Sequence, residues 1–363
     1  MYSLFKPIAF ALDPERAHDL TLTNLEFAAK RAFLSAQLEK CYATKISSLP
    51  VKCMGLDFRH PVGLSAGLDK DARAFAAFSA LGFSAVEMGT VTPLPQPGNE
   101  KPRMFRLLED EAIINRMGFN SGGVERFLIN LKANQPCKAL AGINIGKNAI
   151  TSIDDAHADY VSALQRVYSS ADYITINISS PNTKSLRDLQ NADYLDSLLT
   201  QIKKAHAKCV AVHKRHVPIA LKVAPDLKED EIEAISELLI SHQFDALIAT
   251  NTTVERPDSL SSEFANQAGG LSGKPVKEMS TNCIAEFYRH LKDKVQIIGA
   301  GGIKNADDAW DKMLAGADYL QIYTQFIYQG PVIIKDIVEG LQKTVKSQGF
   351  EDIESALQAL RKK

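Results

Sequence analysis

The segment "IALKVAPDLKEDEIEAISELLISHQFDALIA", Ile219–Ala249, contains a complete unit of strand, helix and second strand. Its two ends are short apolar runs, and the stretch between them has the pattern of a helix. Strands that are apolar along their whole length are typical of a parallel sheet covered by helices on its faces. The segment therefore predicts a parallel α/β fold.

The same alternation of strand and helix continues along the chain. Eight strands are predicted, at Val62–Ala66, Ala85–Gly89, Ala139–Ile145, Tyr173–Ile178, Ile219–Val223, Ala246–Ala249, Gln296–Ala300 and Tyr319–Ile322. Eight such units in one chain are typical of a (β/α)8 TIM barrel, and a doubly wound open sheet is the alternative. We predict the barrel over residues 46–363 and a small helical extension over residues 1–45.

The composition is that of an ordinary soluble globular protein. The chain has 363 residues, a net charge of -1, 45% hydrophobic residues and 23% charged residues. A near-neutral charge does not provide the basic field that nucleic acid requires. The five scattered cysteines form no CxxC pair, so we expect free thiols and no metal site. The sequence shows neither a signal peptide nor an apolar run of the ~20 residues that span a bilayer.

Polar residues follow the predicted strands, at the end of a barrel where functional residues lie. Asn144, Asn177, Asn182 and Asn251 would gather on this rim. Amide side chains both donate and accept hydrogen bonds, so they suit a flat, neutral ring that contains amides. Capping of turns is the alternative role. Two long segments, after the second and sixth strands, are predicted to be loops that act as lids or binding walls.

The stretch "IIGAGGIKNADDA" places Gly301 and Gly302 between the seventh strand and a helix. Backbone N–H groups in a glycine turn before a helix bind phosphate. In barrels, the phosphate site typically follows strands seven and eight. We therefore predict a phosphate site here, and a tight turn without a ligand is the alternative.

Several motifs together resemble the dihydroorotate dehydrogenase family. They are "GLSAGLDKDA", "GTVTPLPQPGN", "INRMGFN", "GINIGKN", "NISSPNT", "IATNTT", "GGLSGKP" and "GAGGI". The leading "LDPERAH" and the serine in "NISSPNT" resemble the membrane-associated class 2 enzymes. The resemblance implies that (S)-dihydroorotate is oxidised to orotate in pyrimidine biosynthesis, with FMN as bound cofactor and a membrane quinone as electron acceptor.

The resemblance implies that Ser180 is the catalytic base, which takes the proton from C5 while a hydride leaves C6. A hydroxyl is a poor base at neutral pH, so a neighbouring group, a water or a backbone relay must carry the proton away. By sequence alone Ser179 is the rival, because both serines lie in the same loop. Adjacent residues of a strand point to opposite sides, and the resemblance favours Ser180.

The resemblance also implies the binding residues. FMN would be bound by Ala66, Gly67, Leu68, Asp69, Lys70, Thr90, Asn144, Asn177, Lys222, Thr250, Gly273, Gly302, Tyr323 and Thr324. The substrate would be bound by Lys70, Asn115, Arg116, Met117, Gly118, Phe119, Asn177, Asn182, Asn251 and Thr252. Lys222 suits negative charge at the reduced flavin ring, and a rim lysine in a salt bridge is its alternative role.

The N-terminal segment begins a helix at Asp13-Pro14-Glu15, with a capping residue, a proline and an acidic first turn. Apolar residues precede it, at Leu4, Phe5, Ile8 and Phe10. Composition alone favours a helix packed on the barrel, whereas the class 2 resemblance implies an apolar quinone tunnel at a membrane surface.

By the same resemblance, His18 and Arg106 would lie near the quinone head. We expect peripheral attachment to the cytoplasmic side of a bacterial cell membrane, and no obligate protein partner. Two other functions stay open from the residues alone. One is a lyase or aldolase barrel in which Lys222 forms a Schiff base, and the other is a barrel that only binds a phosphate ligand or a partner. A flavin spectrum would distinguish them.

Overall fold

The computed structural model describes residues 2–183 and 186–361, apart from the side chains of Ser3 and Leu4. The apolar role predicted for Leu4 therefore lies outside the described side chains. The strands of these residues are β1 (Val51–Cys53), β2 (Leu56–Phe58), β3 (Val62–Leu64), β4 (Ala85–Val91), β5 (Met104–Leu107), β6 (Ala112–Asn115), β7 (Leu140–Ile145), β8 (Tyr173–Asn177), β9 (Ile219–Val223), β10 (Ala246–Ala249), β11 (Gly270–Gly273), β12 (Gln296–Ala300) and β13 (Tyr319–Ile322).

Helices alternate with these strands. They are α1 (Tyr2–Ala11), α2 (Pro14–Ala29), α3 (Ala32–Cys41), α4 (Phe75–Leu81), α5 (Gly123–Ala133), α6 (Ala156–Val167), α7 (Ala192–His213), α8 (Glu229–Ser241), α9 (Lys277–Leu291), α10 (Ala306–Leu314), α11 (Thr324–Gln329), α12 (Val332–Ser347) and α13 (Ile353–Leu360). Short 3-10 turns lie at Ala43–Lys45, Tyr168–Ser170, Leu186–Gln190 and Lys274–Val276.

Eight parallel strands close into a barrel in the order β3, β4, β7, β8, β9, β10, β12 and β13, with β13 pairing back to β3. The prediction of a (β/α)8 barrel with N-terminal helices is confirmed. All eight predicted strands are present, with differences of one or two residues at some ends. The first strand is shorter than predicted because the chain turns after Leu64, where Gly67 N bonds to Gly89 O at 2.8 Å.

Two tyrosines fill the amino end of the barrel. Tyr319 lies against Gly63, where an added Cβ would be 2.9 Å from the tyrosine Cε1. Tyr173 lies in the same way against Gly142, at 2.7 Å. A large side chain beside a residue without one fills the interior at the density of a protein core. The β1–β2 hairpin covers this end, with the Phe58 ring 4.1 Å from that of Tyr319.

A separate three-stranded antiparallel sheet lies outside the barrel, in the order β11, β6, β5. Met104 pairs with Asn115, and Asn115 pairs in turn with Gly270. The two long segments that contain these strands were predicted to be loops, and this prediction was wrong for Met104–Leu107, Ala112–Asn115 and Gly270–Gly273. Each strand has only four residues, and β11 is more than 150 residues from its partner β6 along the chain, so local patterning does not reveal the pairing.

The N-terminal helices pack on one side of the barrel. As predicted, Asp13 caps α2, accepting hydrogen bonds from Glu15 N at 3.1 Å and Arg16 N at 3.0 Å. Glu15 itself is buried and forms an ion pair with buried Arg103 at 2.8 Å. Arg103 also donates to the carbonyls of Pro97 and Asn99. This pair therefore ties α2 to the segment that leads into β5.

The outer face of the N-terminal helices carries exposed apolar side chains. Phe5, Ile8, Phe27 and Phe33 are 62%, 67%, 51% and 72% exposed. Grouped exposed apolar residues mark surfaces that contact another apolar phase or a partner. In the described part of the chain, no helix has both the length and the apolar character to cross a bilayer.

We expect Glu15→Gln to lower the free energy of unfolding by about 3 kcal/mol, because it leaves the Arg103 guanidinium buried without its carboxylate. The matched control is Glu125→Gln, which removes an exposed ion pair with Arg166 and should cost less than about 1 kcal/mol. Urea unfolding of both variants and the parent protein measures the difference. Equal losses would show that the buried pair does not stabilise the docked helix.

Candidate functional site

A cleft opens at the carboxyl ends of the barrel strands, beside the β5–β6–β11 sheet. Its empty space is about 1160 Å3, part of it open to solvent. The predicted residues that line it are Ala66, Gly67, Lys70, Thr90, Asn115, Met117, Gly118, Phe119, Asn177, Ser180, Asn182, Lys222, Thr250, Asn251, Thr252, Gly273, Gly302, Tyr323 and Thr324. Residues far apart in sequence thus meet in one cavity, as the barrel prediction requires.

Four predicted residues lie close to the cleft without lining it. The Asp69 carboxylate accepts hydrogen bonds from Arg73 N and Ala74 N, both at 2.8 Å, so it holds the turn before α4. Burial raises the pKa of Asp69 to about 6 although these bonds lower it. Leu68 belongs to the core. Arg116 donates hydrogen bonds to Gln267 Oε1 and Ala268 O. Asn144 accepts a hydrogen bond from Thr90 Oγ1 and does not itself line the cleft.

The predicted asparagines are connected by hydrogen bonds. Asn177 Nδ2 donates to Thr90 Oγ1 at 2.9 Å and to Asn144 Oδ1 at 3.2 Å. Asn251 Nδ2 donates to Ser179 Oγ at 3.0 Å, and Ser179 Oγ donates to Asn177 Oδ1 at 3.2 Å. Each amide is therefore held in one orientation by its neighbours.

The two candidate serines have different environments. Ser180 lines the cleft, and its Oγ accepts a hydrogen bond from Asn182 N at 3.3 Å. Ser179 is fully buried behind the cleft, where it bonds to Asn177 and Asn251. Only Ser180 of the two thus has its side chain beside the space a ligand could occupy.

Two lysines face the cleft, of which Lys222 is buried and Lys70 is half-buried. Burial lowers the pKa of Lys222, and Glu87, 3.7 Å from its Nζ, raises it. Lys222 also donates to Ser65 Oγ at 3.1 Å. Burial lowers the pKa of Lys70 to about 8, and its Nζ donates to Gly67 O at 2.7 Å. Both cations lie where they can interact with an anionic ligand.

The predicted phosphate turn packs against the start of α9. Gly302 has φ +72°, and a Cβ there would lie 2.6 Å from the backbone N of Lys277, the first residue of α9. Gly273 has φ +102°, and its Cβ would lie 2.5 Å from Glu111 O. Across the turn, Thr324 Oγ1 donates to Ser272 Oγ at 2.9 Å. Glycine backbone, two hydroxyls and a helix start together fit a bound phosphate.

The quinone-site candidates lie on the side of the N-terminal helices. His18 is half-buried, and burial, followed by nearby Lys70, lowers its pKa to about 3. Arg106 donates to Phe10 O at 2.9 Å and Leu12 O at 2.6 Å, and its guanidinium lies 4.8 Å from the Phe10 ring centre. The structure thus places His18 close to Lys70 at the cleft, and Arg106 at the end of α1.

An apolar cluster connects the cleft to α1. Its buried members are Met104, Ile113, Met117 and Tyr328, with Phe10 packed against them. Met104, Ile113 and Met117 also line the cleft. Packed apolar side chains, called the apolar path below, therefore extend from the cleft to the N-terminal helices.

Sequence reasoning did not identify several lining residues. They are Ser65, Met104, Ile113, Pro181, Ser272, Val276, Ala300, Ile303, Gln321, Ile322 and Gln325. Met104 and Ile113 come from the unpredicted sheet. Glu87, which lies beneath the cleft, was also missed, although a single acid in the apolar strand "AVEMGTV" is a recognisable signal for a buried charge.

Comparison with known proteins identifies the same family as the sequence motifs. The family model described as Dihydroorotate dehydrogenase matches residues 48–345. A protein from Psychrobacter sp. (strain PRwf-1) named Dihydroorotate dehydrogenase (quinone) is 49% identical over 340 residues, covering 94% of this chain and 97% of that protein. A protein of the same name from Shewanella denitrificans is 50% identical over 342 residues, covering 94% of this chain and 99% of that protein.

Solved structures show the same similarity. The crystal structure of DHODH from Eimeria tenella in complex with ferulenol has a TM-score of 0.86 and 38% identity, covering 95% of each chain. The ligand-free type of DHODH from the same organism has a TM-score of 0.85 and 38% identity, covering 95% of this chain and 98% of that one.

We expect Gly302→Ala to destabilise the protein more than Gly349→Ala does. Both glycines have positive φ, +72° and +83°, so both variants should lose about 1–2 kcal/mol to backbone strain. Only at Gly302 does the new Cβ also collide with the start of α9, which should cost roughly 1–3 kcal/mol more, because a Cβ at Gly349 has no atom within 4 Å. Urea unfolding measures both, and equal losses would refute the close packing at Gly302.

Proposed function

Because the chain belongs to the dihydroorotate dehydrogenase family, we propose that it oxidises (S)-dihydroorotate to orotate in de novo pyrimidine biosynthesis, with FMN as cofactor and a quinone as acceptor. The observation that carries this proposal is the cleft, in which Ser180, the asparagines and the glycine turn meet. Relatives about half identical over nearly the whole chain have this activity in their names. Family membership favours this function over the lyase and the purely binding barrel.

The residues of the cleft fit FMN. The cleft combines apolar side chains with glycine backbone, hydroxyls and a buried lysine, which suit the apolar ring, the phosphate and the negative charge of a flavin nucleotide. We assign the phosphate to Gly273, Gly302, Tyr323 and Thr324, and the ring to the neighbourhood of Lys222. FMN, when bound, supplies a hydride acceptor that can pass electrons on to a quinone.

The substrate is assigned to the asparagines of the rim. Asn115, Asn182 and Asn251 line the cleft, and Asn182 Nδ2 donates to Asn115 O at 3.1 Å. Amide groups already fixed by neighbours can pair with the ring N–H and C=O groups of dihydroorotate without further loss of side-chain freedom. Lys70 adds positive charge for its carboxylate.

Ser180 is assigned as the base that removes the C5 proton. Its Oγ gains that proton, and its own hydroxyl proton must leave to a water or another acceptor. The hydrogen bond from Asn182 N stabilises negative charge on Oγ while this exchange takes place. Ser179, which holds Asn177 and Asn251, is assigned a supporting role.

The N-terminal helices are assigned to quinone access and to peripheral attachment at the cytoplasmic side of a bacterial membrane. The apolar path through Met104, Ile113 and Tyr328 to Phe10 supports a tunnel for an apolar acceptor. The exposed Phe5, Ile8, Phe27 and Phe33 support contact with lipid. His18 and Arg106 would lie beside the quinone head.

We expect Ser180→Ala to slow flavin reduction by dihydroorotate roughly 100-fold or more, the scale of acid–base catalysis, while orotate still binds. Ser179→Ala is the contrast: because it releases Asn177 and Asn251, it should weaken orotate binding more than it slows reduction at saturating substrate. Anaerobic stopped-flow absorbance measures reduction, and titration of the oxidised enzyme measures binding. Near-normal reduction in Ser180→Ala would exclude this serine as the base.

We expect the double change Phe5→Ser and Ile8→Ser to reduce sedimentation with lipid vesicles and to slow reduction of a long-chain quinone in those vesicles. Both side chains are more than half exposed, so folding and flavin reduction by dihydroorotate should be unaffected. The matched control is Ile129→Ser with Ile150→Ser, which removes side chains 70% and 85% exposed outside the N-terminal helices. Equal vesicle binding of both double variants would contradict the assignment.

A further inference from the structure

Glu87, on β4, is a fully buried carboxylate inside the barrel, beneath the cleft. Four neutral groups donate hydrogen bonds to it. Asn144 Nδ2 donates to Oε1 at 2.8 Å, and Gln321 Nε2, Thr175 Oγ1 and Tyr173 OH donate to Oε2 at 2.7, 3.1 and 3.3 Å. A carboxylate that only accepts hydrogen bonds suits the ionised form.

A buried charge is costly unless a charge of opposite sign lies close by. Lys222, on β9, supplies that charge, with its Nζ 3.7 Å from Glu87 Oε1. Lys222 is itself buried, and no other ion pair involves it in the part of the chain that the structure describes. The two groups therefore depend on each other for their charge.

Glu87 also fixes the side chains around the cleft floor. Gln321 Nε2 is held by Glu87 and by Tyr173 OH at 3.2 Å, so the amide has one orientation. Its Oε1 is buried without a hydrogen-bond partner, and Gln321 lines the cleft. Asn144 donates from Nδ2 to Glu87, and its Oδ1 accepts hydrogen bonds from Thr90 and Asn177.

We propose that Glu87 is a positioning residue that acts through Lys222: its carboxylate keeps the lysine protonated beside the flavin and thereby raises the flavin's reduction potential. The inference rests on the proposed function, since it requires FMN in the cleft. A cation near the flavin ring stabilises the additional negative charge of the reduced state. Glu87 itself does not line the cleft.

The two opposing influences on the pKa of Lys222 support this proposal. Burial lowers the pKa of Lys222, and among the residues that the structure describes Glu87 is the group that raises it. Besides Glu87 and Lys222, the titratable groups on the barrel strands are Tyr173 and Tyr319. Burial raises the pKa of both tyrosines, and Glu87 raises that of Tyr173 further, so both stay neutral. Without Glu87, Lys222 would lose its proton at a lower pH.

The test is Glu87→Gln, which preserves the size of the side chain and removes its charge. At pH 8 we expect the equilibrium ratio of reduced to oxidised flavin, measured against a reference dye, to fall roughly tenfold or more. The fall in this ratio should become smaller as the pH is lowered, because Lys222 is then protonated even without Glu87. An unchanged ratio at every pH would overturn the proposal.

Variants of Lys222 show whether Glu87 acts through it. In a Lys222→Met background, Glu87→Gln should no longer lower the ratio, because there is no ammonium left to lose. In a Lys222→Arg background the ratio should also resist Glu87→Gln, because a guanidinium stays charged without a counterion. Equal falls in all three backgrounds would mean that Glu87 acts on the site independently of Lys222.

Retention of FMN, measured by flavin absorbance per protein, is the second readout. If Glu87→Gln does not retain FMN, Glu87→Asp, which keeps the charge, replaces it. Because the aspartate variant keeps the negative charge, it should bind FMN and show a ratio close to that of the parent protein, and a tenfold fall despite the retained charge would overturn the proposal. Failure of the proposed function is distinguishable from failure of this proposal. If the proposed function is wrong, the parent protein itself will lack flavin, or dihydroorotate will not reduce its flavin.

Discussion

The closure of eight parallel strands into one barrel is the constraint on which the rest of the molecule depends. Since all eight strands run in the same direction, their carboxyl ends form a single ring, and the chain after each strand must pass over it. Residues as distant as Ala66 and Tyr323 thereby become neighbours. Closure also buries the side chains that point into the barrel, so Glu87 takes its hydrogen bonds and its counterion from other barrel strands.

Much of the fold and of the site could be predicted from sequence because the barrel repeats a local pattern. Apolar strands, helix-length segments and polar strand ends recur, and each unit places its last residues on the same rim. Thus Asn177 and Ser180 could be assigned to the cleft from their position after a strand. Without the family resemblance, Ser180 could not be separated from Ser179 by sequence, because both follow the same strand and only the backbone path shows which side chain faces the cleft.

The parts that could not be predicted depend on pairing between distant segments. β11 pairs with β6 across more than 150 residues, and four residues carry too little pattern to indicate a strand. The Glu15–Arg103 ion pair is invisible for the same reason, since either residue alone looks like a surface charge. Such contacts hold the three-stranded sheet and the N-terminal helices against each other. They thereby also form the apolar path that joins the cleft to α1.

The attachment of α1 has a consequence for folding during synthesis. Tyr2 OH donates a hydrogen bond to Ile327 O, 325 residues away, and the Tyr2 ring packs against Gly330. Because synthesis runs from the amino end, α1 therefore cannot reach its native site until the chain has been made as far as Gly330. Until then Phe10 has no folded cluster to pack against, and it stays exposed together with Phe5 and Ile8. An apolar helix that waits unpacked for so long is the kind of segment that chaperones bind during synthesis.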